Sequence, residues 1–202
     1  MTLYRFEHLD LQRRAVREEY EQLFYSSFLK VSANRLIHTL WAWDHHARRL
    51  ATRIAYAHQI VFGVRNSSGR LESAIAFNLT LQHFQAAAFG FRPPRDSAGC
   101  CEILSFFSRL SNLKLQLDLW SHCRREMTRL GFHTAWATTA RRPLKSYLRI
   151  GWKLIAQAEI NGEERFFLLY DFAPAVRPPR VLTNGNQNHD ALRPVSSLTG
   201  LR

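Results

Sequence analysis

No stretch restricts the fold of this 202-residue chain more than residues 100–152. Cys100–Ser108 is an apolar run of strand length, Arg109–Lys114 is a polar turn, and the residues after it carry apolar side chains at helical spacing as far as Leu130-Gly131. His133–Thr138 reads as a second buried strand, and a short helix closes at Gly151. Strand, helix, strand, helix in that order predicts two parallel strands joined by a right-handed crossover. Parallel neighbours need a long connection, and the helix within it must pack back on the sheet. A ligand of such a unit sits at the carboxyl ends of the two strands.

The chain is long enough for one well-buried domain, and 46% hydrophobic with 12% aromatic residues supplies its core. Residues 1–173 are expected to form that domain. From Pro174 the composition turns to Pro, Asn, Gly and Arg without apolar period, which predicts a polar, disordered tail over 174–202. The formal charge of +12, from 28 Lys and Arg against 16 Asp and Glu, favours acidic partners: nucleic acid, an anionic membrane face, a phosphorylated cofactor or an acidic carrier protein. Three cysteines, two of them the adjacent Cys100 and Cys101, make no disulfide framework, so a reducing cytoplasm is the expected compartment. Met1–Phe6 carries no apolar leader segment, and no stretch approaches the roughly 20 apolar residues of a membrane span.

Ahead of the central unit, Thr2–Leu9 alternates weakly, which fits a first strand or an extended lead-in. Asp10 is placed to cap a helix to about Lys30, on Leu11, Ala15, Val16, Leu23 and Phe24. Ser32 or Asn34 is placed to cap a second helix to about Tyr56, with Leu36, Leu40, Trp43, Ala47, Leu50 and Ile54 on one stripe. His58–Arg65 and Arg70–Thr80 flank the turn Asn66-Ser67-Ser68-Gly69, a hairpin signal. Leu81–Gly90 fits a helical turn or a continued strand, and Phe91–Asp96 with its two prolines is a loop. After the unit, Trp152–Ile160 and Glu164–Phe172 alternate around Asn161-Gly162, which predicts a type I′ hairpin.

This order of elements from Thr2 to Phe172 resembles the GNAT superfamily of N-acyltransferases. Locally, Tyr147-Leu148-Arg149-Ile150-Gly151-Trp152 is similar to that family's Tyr-x-x-x-Gly-Phe segment. A narrower resemblance is to the acyl-homoserine lactone synthases and N-acyl amino acid synthases. Glu102-Ile103-Leu104-Ser105-Phe106-Phe107 is similar to their Glu-Ser-Ser-Arg-Phe strand, with Ser105 where they carry arginine, and the segment ending Ile150-Gly151-Trp152 is similar to their Arg-Ala-Gly-Trp. The acidic cluster they carry after the first helix is missing here. The resemblance implies an α/β (α+β) fold with a mixed, mostly antiparallel sheet, a central parallel pair and flanking helices. It also implies an N-acyltransferase that moves an acyl group from acyl-CoA, or from the phosphopantetheine of an acyl carrier protein, to an amine, with no metal.

Attack of an amine on a thioester needs a path for the ammonium proton, donors for the oxyanion and an acid for the departing sulfur. Glu102 is the candidate base, the alternative being a cap or salt bridge at a strand edge; Tyr147 is the candidate acid, the alternative being core filling beside Trp152. The resemblance puts the donor against Phe106, Phe107, Ser108, Arg109, Ser111, Asn112, Lys114, Thr138 and Arg141. The family's phosphate loop is glycine-rich, and this turn has no glycine. Either its side chains substitute for the backbone, or a smaller anion such as one pantetheine phosphate is held, or activity is lost. The net charge fits an acidic carrier protein as donor partner. The competing reading is an inactive GNAT-like module that binds nucleic acid or protein through its basic faces and the tail residues Arg177, Arg180, Arg193 and Arg202. Among lesser features, Leu113, Leu117, Trp120, Cys123, Met127 and Leu130 predict the buried face of the central helix, with Arg124, Arg125 and Arg129 outside it. Asp44-His45-His46 lacks the spacing of a metal site on a helix.

Overall fold

The computed structural model describes residues 3–31, 35–93, 95, 97–110 and 112–172. Within them, seven strands form one sheet in the order β1-β4-β5-β6-β7-β9-β8, and β2 (Trp41–Asp44) and β3 (Arg49–Thr52) form a separate ribbon. The strands of the large sheet are β1 (Arg5–His8), β4 (Gln59–Arg65), β5 (Leu71–Asn78), β6 (Cys100–Ser108), β7 (Thr134–Ala140), β8 (Lys153–Ile160) and β9 (Glu163–Asp171). Every neighbouring pair is antiparallel except β6 and β7, which run parallel. The crossover between those two is α3 (Leu113–Arg129), as the sequence requires.

Both hairpins form where their turns predict. Asn161 and Gly162 take φ 53° and 78°, the double positive φ of a type I′ turn, and Gly69 takes φ 80° in the β4–β5 turn. The last hairpin inserts its second strand next to the parallel pair, so β9 touches β7 and β8 lies at the edge. That placement carries inward-facing residues of β9 close to the end of β7.

Two cores lie on opposite faces of the sheet. On one face α1 (Arg14–Phe28), α2 (Arg35–Leu40) and the β2–β3 ribbon pack Tyr20, Leu23, Phe24 and Trp41 against Leu104 and Phe107. On the other, α3 and α4 (Arg141–Arg149) pack Leu119, Trp120 and Met127 against Cys101, Ile103 and Leu168. None of the described helices is long and apolar enough to cross a membrane.

Several expectations are corrected. The second helix stops at Leu40; Trp41–Asp44 (β2) and Arg49–Thr52 (β3) form a hairpin instead of the continuation to Tyr56. Its turn is made by the Asp44 carboxylate accepting the N–H of Ala47 at 2.8 Å and by Arg48 at φ 53°, which no helix accommodates. Asp10 accepts the N–H of Gln12 rather than capping the helix, which begins at Arg14. Leu81–Gly90 forms two short 3₁₀ turns, Leu81–His83 and Gln85–Phe89. The buried stripe of α3 is Leu115, Leu119, Trp120, Cys123 and Met127; Leu113 and Leu117 are 66% and 36% exposed. The expected tail, with its four arginines, lies outside the described residues.

Candidate active site

The β6–β7 ladder is short. It runs from Cys100 opposite Thr134 to Ile103 opposite Ala137 and then ends, while β6 continues along β5 and β7 continues along β9. The next residue explains the parting. Leu104 is a bulge: Ser105 stands opposite Ala76 and Ile103 opposite Phe77, so Leu104 has no partner on β5. An extra residue bends and twists its strand, and here it bends β6 away from β7. Beyond the last rung, two strand edges face each other with no ladder between them, a slot at the carboxyl ends of both strands.

A cavity opens on each side of the slot. On the α3 side, about 350 Å³ is lined by Phe106, Phe107, Ser108, Leu113, Leu117 and Trp120 with the α4 residues Pro143, Ser146 and Tyr147. This is where the exposed leucines of α3 point. On the α1 side, about 330 Å³ is lined by Phe28, Trp41, Phe89, Leu104 and Thr138 among others. Phe106, Pro143 and Tyr147 line both, so the two cavities adjoin at these residues.

Tyr147 is held at the junction by local structure. Helix α4 follows β7 directly, with Pro143 in its first turn, where no backbone donor is needed. The Tyr147 carbonyl accepts the N–H groups of Ile150 and Trp152, and Gly151 takes φ 100° to close the helix. Trp152 then packs edge-on to the Tyr147 ring at 5.5 Å and lies against Trp120. The phenol itself has no hydrogen-bond partner among the described residues, and burial pushes its pKa up to about 12. It is protonated at neutral pH, and the residue lines both cavities.

Glu102 sits in the paired half of β6 and is 1% exposed. One carboxylate oxygen accepts the Gln85 N–H at 2.8 Å and the Asn78 amide at 3.3 Å; the other accepts the Ala86 N–H at 2.7 Å. Burial raises its pKa to about 7 against these three donors, which favour the ionised form. Its side chain does not line either cavity; the 3₁₀ turn it holds does, through Gln85 and Phe89.

No family model matches the sequence, and no curated protein matches it. Solved structures match well. The CoA-dependent acyl-homoserine lactone synthase MesI superposes with a TM-score of 0.64 at 16% identity, covering 85% of this chain and 90% of that one. BjaI, a second CoA-dependent acyl-homoserine lactone synthase, solved with SAM and isopentyl-CoA, gives 0.65 at 11% identity over 86% of this chain and 84% of that one. The ribosomal-protein-S18-alanine N-acetyltransferase from Escherichia coli gives 0.52 at 10% identity over 87% and 97%. The chain has the GNAT fold. Within it, the higher scores fall on the acyl-homoserine lactone synthases, the branch that the β6 motif resembles.

On this GNAT framework the expected donor residues divide. Phe106, Phe107 and Ser108 line the α3-side cavity and Thr138 the α1-side one. Lys114 and Arg141 turn elsewhere, Lys114 pairing with Asp118 and Arg141 forking onto Glu164 while stacking on Phe166; Arg109 lines neither cavity, and its backbone N–H extends the ladder to the Glu72 carbonyl. Asn112 caps α3 by accepting the Leu115 N–H at 3.1 Å, and Ser108 bonds the Leu110 backbone, so both side chains are engaged within the turn itself. Ser111 lies outside the described residues. Ser105, in place of the arginine of the related strand motif, sits 3.4 Å from the Tyr20 hydroxyl. Phe28 and Trp41 line the α1-side cavity.

Gln85, Arg142 and Arg165 also line that cavity, and the last of these was not singled out from the sequence. Arg165 had a signal: it alternates with the inward-facing Phe167 of β9, and a charged residue at an inward position is unusual. Burial lowers its pKa from the ordinary guanidinium value, and Glu163 opposes that. Among the described residues no group of three or more His, Cys, Asp or Glu side chains is gathered as a metal site.

Proposed function

We propose that this chain is an N-acyltransferase that draws its acyl group from a thioester on a phosphopantetheine arm and passes it to an amine. The observation that carries the reading is the slot: two strand edges with no ladder between them, a cavity on each side, and Tyr147 lining both cavities. A strand edge without a partner offers N–H and C=O groups at fixed spacing, which suits an extended arm containing amides. The apolar α3-side cavity takes that arm, the thioester comes to rest beside Tyr147, and the acyl carbon faces the α1 side.

The amine approaches through the α1-side cavity and attacks the thioester carbonyl carbon. Negative charge builds on the carbonyl oxygen, and backbone N–H groups on the unpaired edge of β6 beyond Ile103 are the preorganised donors nearest to it. As the C–S bond breaks, the Tyr147 hydroxyl gives its proton to the departing thiolate, and the ammonium proton leaves to bulk water at the open mouth. Glu102 serves by positioning: its carboxylate fixes the Gln85–Phe89 turn that forms one wall. The arm belongs either to CoA or to an acidic carrier protein, which the charge of +12 suits.

The test mixes the full chain with acyl-CoAs from two to twelve carbons and with the same acyl groups on a carrier protein. A panel of amines, SAM included, is added, and free thiol is read. Thiol release that depends on both thioester and amine is the expected result. No release with any pair, and no shift in melting temperature with any thioester, would overturn it.

A further inference from the structure

Two arginines of this molecule are equally buried, and only one of them is satisfied. Arg65 and Arg165 are each 8% exposed, and their side chains are each 10% exposed. Arg65 is enclosed by acceptors: its Nε donates to Glu7 at 2.6 Å, and one Nη donates to Glu19 at 2.6 Å and to the Gly69 carbonyl at 2.8 Å. Arg165 has a single ion pair, from Nη2 to Glu163 at 2.8 Å, and its buried Nε–H has no partner among the described residues.

Arg165 stands between two small neighbours on the adjacent strands, Ala140 on β7 and Ala158 on β8. Phe89 supports the flat of that group, with Cζ 5.3 Å from the ring centre. Arg165, Phe89 and Ala140 all line the α1-side cavity, and Arg142 enters it from α4. Among the described residues no aspartate or glutamate lines it. The chamber is therefore apolar through most of its wall and positive at one end. A desolvated guanidinium donor without an acceptor is costly, and a planar carboxylate matches its fork.

We infer that the α1-side cavity receives a carboxylate of the substrate, bound by Arg165 with Arg142 supporting the charge. The inference rests on the acyl-transfer reading and narrows its substrate class. The carboxylate has two sources that share this chemistry: the far end of a dicarboxylic acyl group on the donor, or the acid group of an amino-acid acceptor.

Calorimetric titration of the full chain with two matched pairs separates them. The first pair is succinyl-CoA and butyryl-CoA; the second, measured in saturating CoA, is phenylalanine and phenethylamine. In one pair the acid is expected to bind about ten- to a hundredfold tighter than its neutral partner, as for a charge-assisted contact in a closed site, and that pair names the source. In Arg165→Gln the acid-to-neutral ratio is expected to fall close to one. Arg165→Lys, which keeps the charge and loses the fork, is expected to lower it severalfold and serves if the first variant does not fold. Equal binding of both members in both pairs, or a ratio that survives either substitution, would overturn the inference and leave acyl transfer standing. If neither CoA thioester binds at all, both fall together.

Discussion

Strand β6 has two halves that differ in what surrounds them. Cys100–Ile103 is laddered to β7, with Glu102 and Ile103 also paired to β5, and the one carboxylate of this half, Glu102, accepts from three donors. Beyond Ile103 the strand is paired on one side only, and the groups gathered at that opening include a phenol and a guanidinium N–H without partners among the described residues. One inserted residue, Leu104, separates the two regimes. Polar groups in the closed half build the wall; polar groups around the open half are left for a ligand. The comparison also separates the two titratable groups singled out from the sequence, since Glu102 belongs to the first set and Tyr147 to the second.

The largest expected effect breaks the closed half. Glu102→Ala leaves the Gln85 and Ala86 N–H groups buried without an acceptor, and urea unfolding is expected to report a loss of about 3 kcal/mol. The same residue gives stability a pH dependence. Its pKa rises from 4.5 to about 7 on folding, so the folded state holds the proton more tightly than the unfolded one. Its contribution is therefore full below about pH 4.5 and is lost as pH rises through about 7. Glu102→Gln, which cannot titrate, is expected to flatten that slope.

The next effect belongs to the open half and should leave the fold alone. Tyr147→Phe removes a hydroxyl that bonds nothing in the protein, so stability is expected to change by less than about 0.5 kcal/mol, while kcat for thiol release falls about a hundredfold. Equal turnover in this variant would move the acid role to another group. The smallest effect concerns Asn112, on the loop expected to hold the donor phosphates. As a helix cap its replacement by alanine is expected to lower stability by about 1 kcal/mol in the same unfolding assay, with CoA affinity changed less than about threefold. A tenfold loss of affinity would restore it as a donor contact.

What could be read from the sequence follows from where each element gets its information. The parallel pair, its crossover and both glycine-containing hairpins are encoded locally, in apolar runs of strand length, a helical stripe and turn residues such as Asn161-Gly162, and they form as expected. The second helix misleads because Trp41, Trp43, Leu50 and Thr52 satisfy a period of two while Leu36, Leu40, Trp43 and Leu50 satisfy a helical one. A turn at Asp44–Arg48 and an ion pair from Arg49 to Glu18 on α1 decide for the hairpin. At the site, Tyr147 is legible because Gly151 and Trp152 fix it within five residues. Arg165 is not, since its position depends on β9 leaving sequence order to lie beside β7. The partners of Glu102 come from residues 78, 85 and 86, across a hairpin and a 3₁₀ turn that no local pattern connects to it.

The most direct test is to plug the slot. Thr138 is the first β7 residue past the last rung to β6; it is half-buried, keeps its pairing with Phe167 on β9 and lines the α1-side cavity. Titration of butyryl-CoA into the unaltered chain and into Thr138→Trp, with circular dichroism to show that the variant is folded, reads the slot alone. An acyl arm lying between β6 and β7 gives a loss of affinity of about thirtyfold or more in the variant. Equal affinity in the two folded proteins would mean that no arm passes between the strands, and the acyl-transfer account would be wrong.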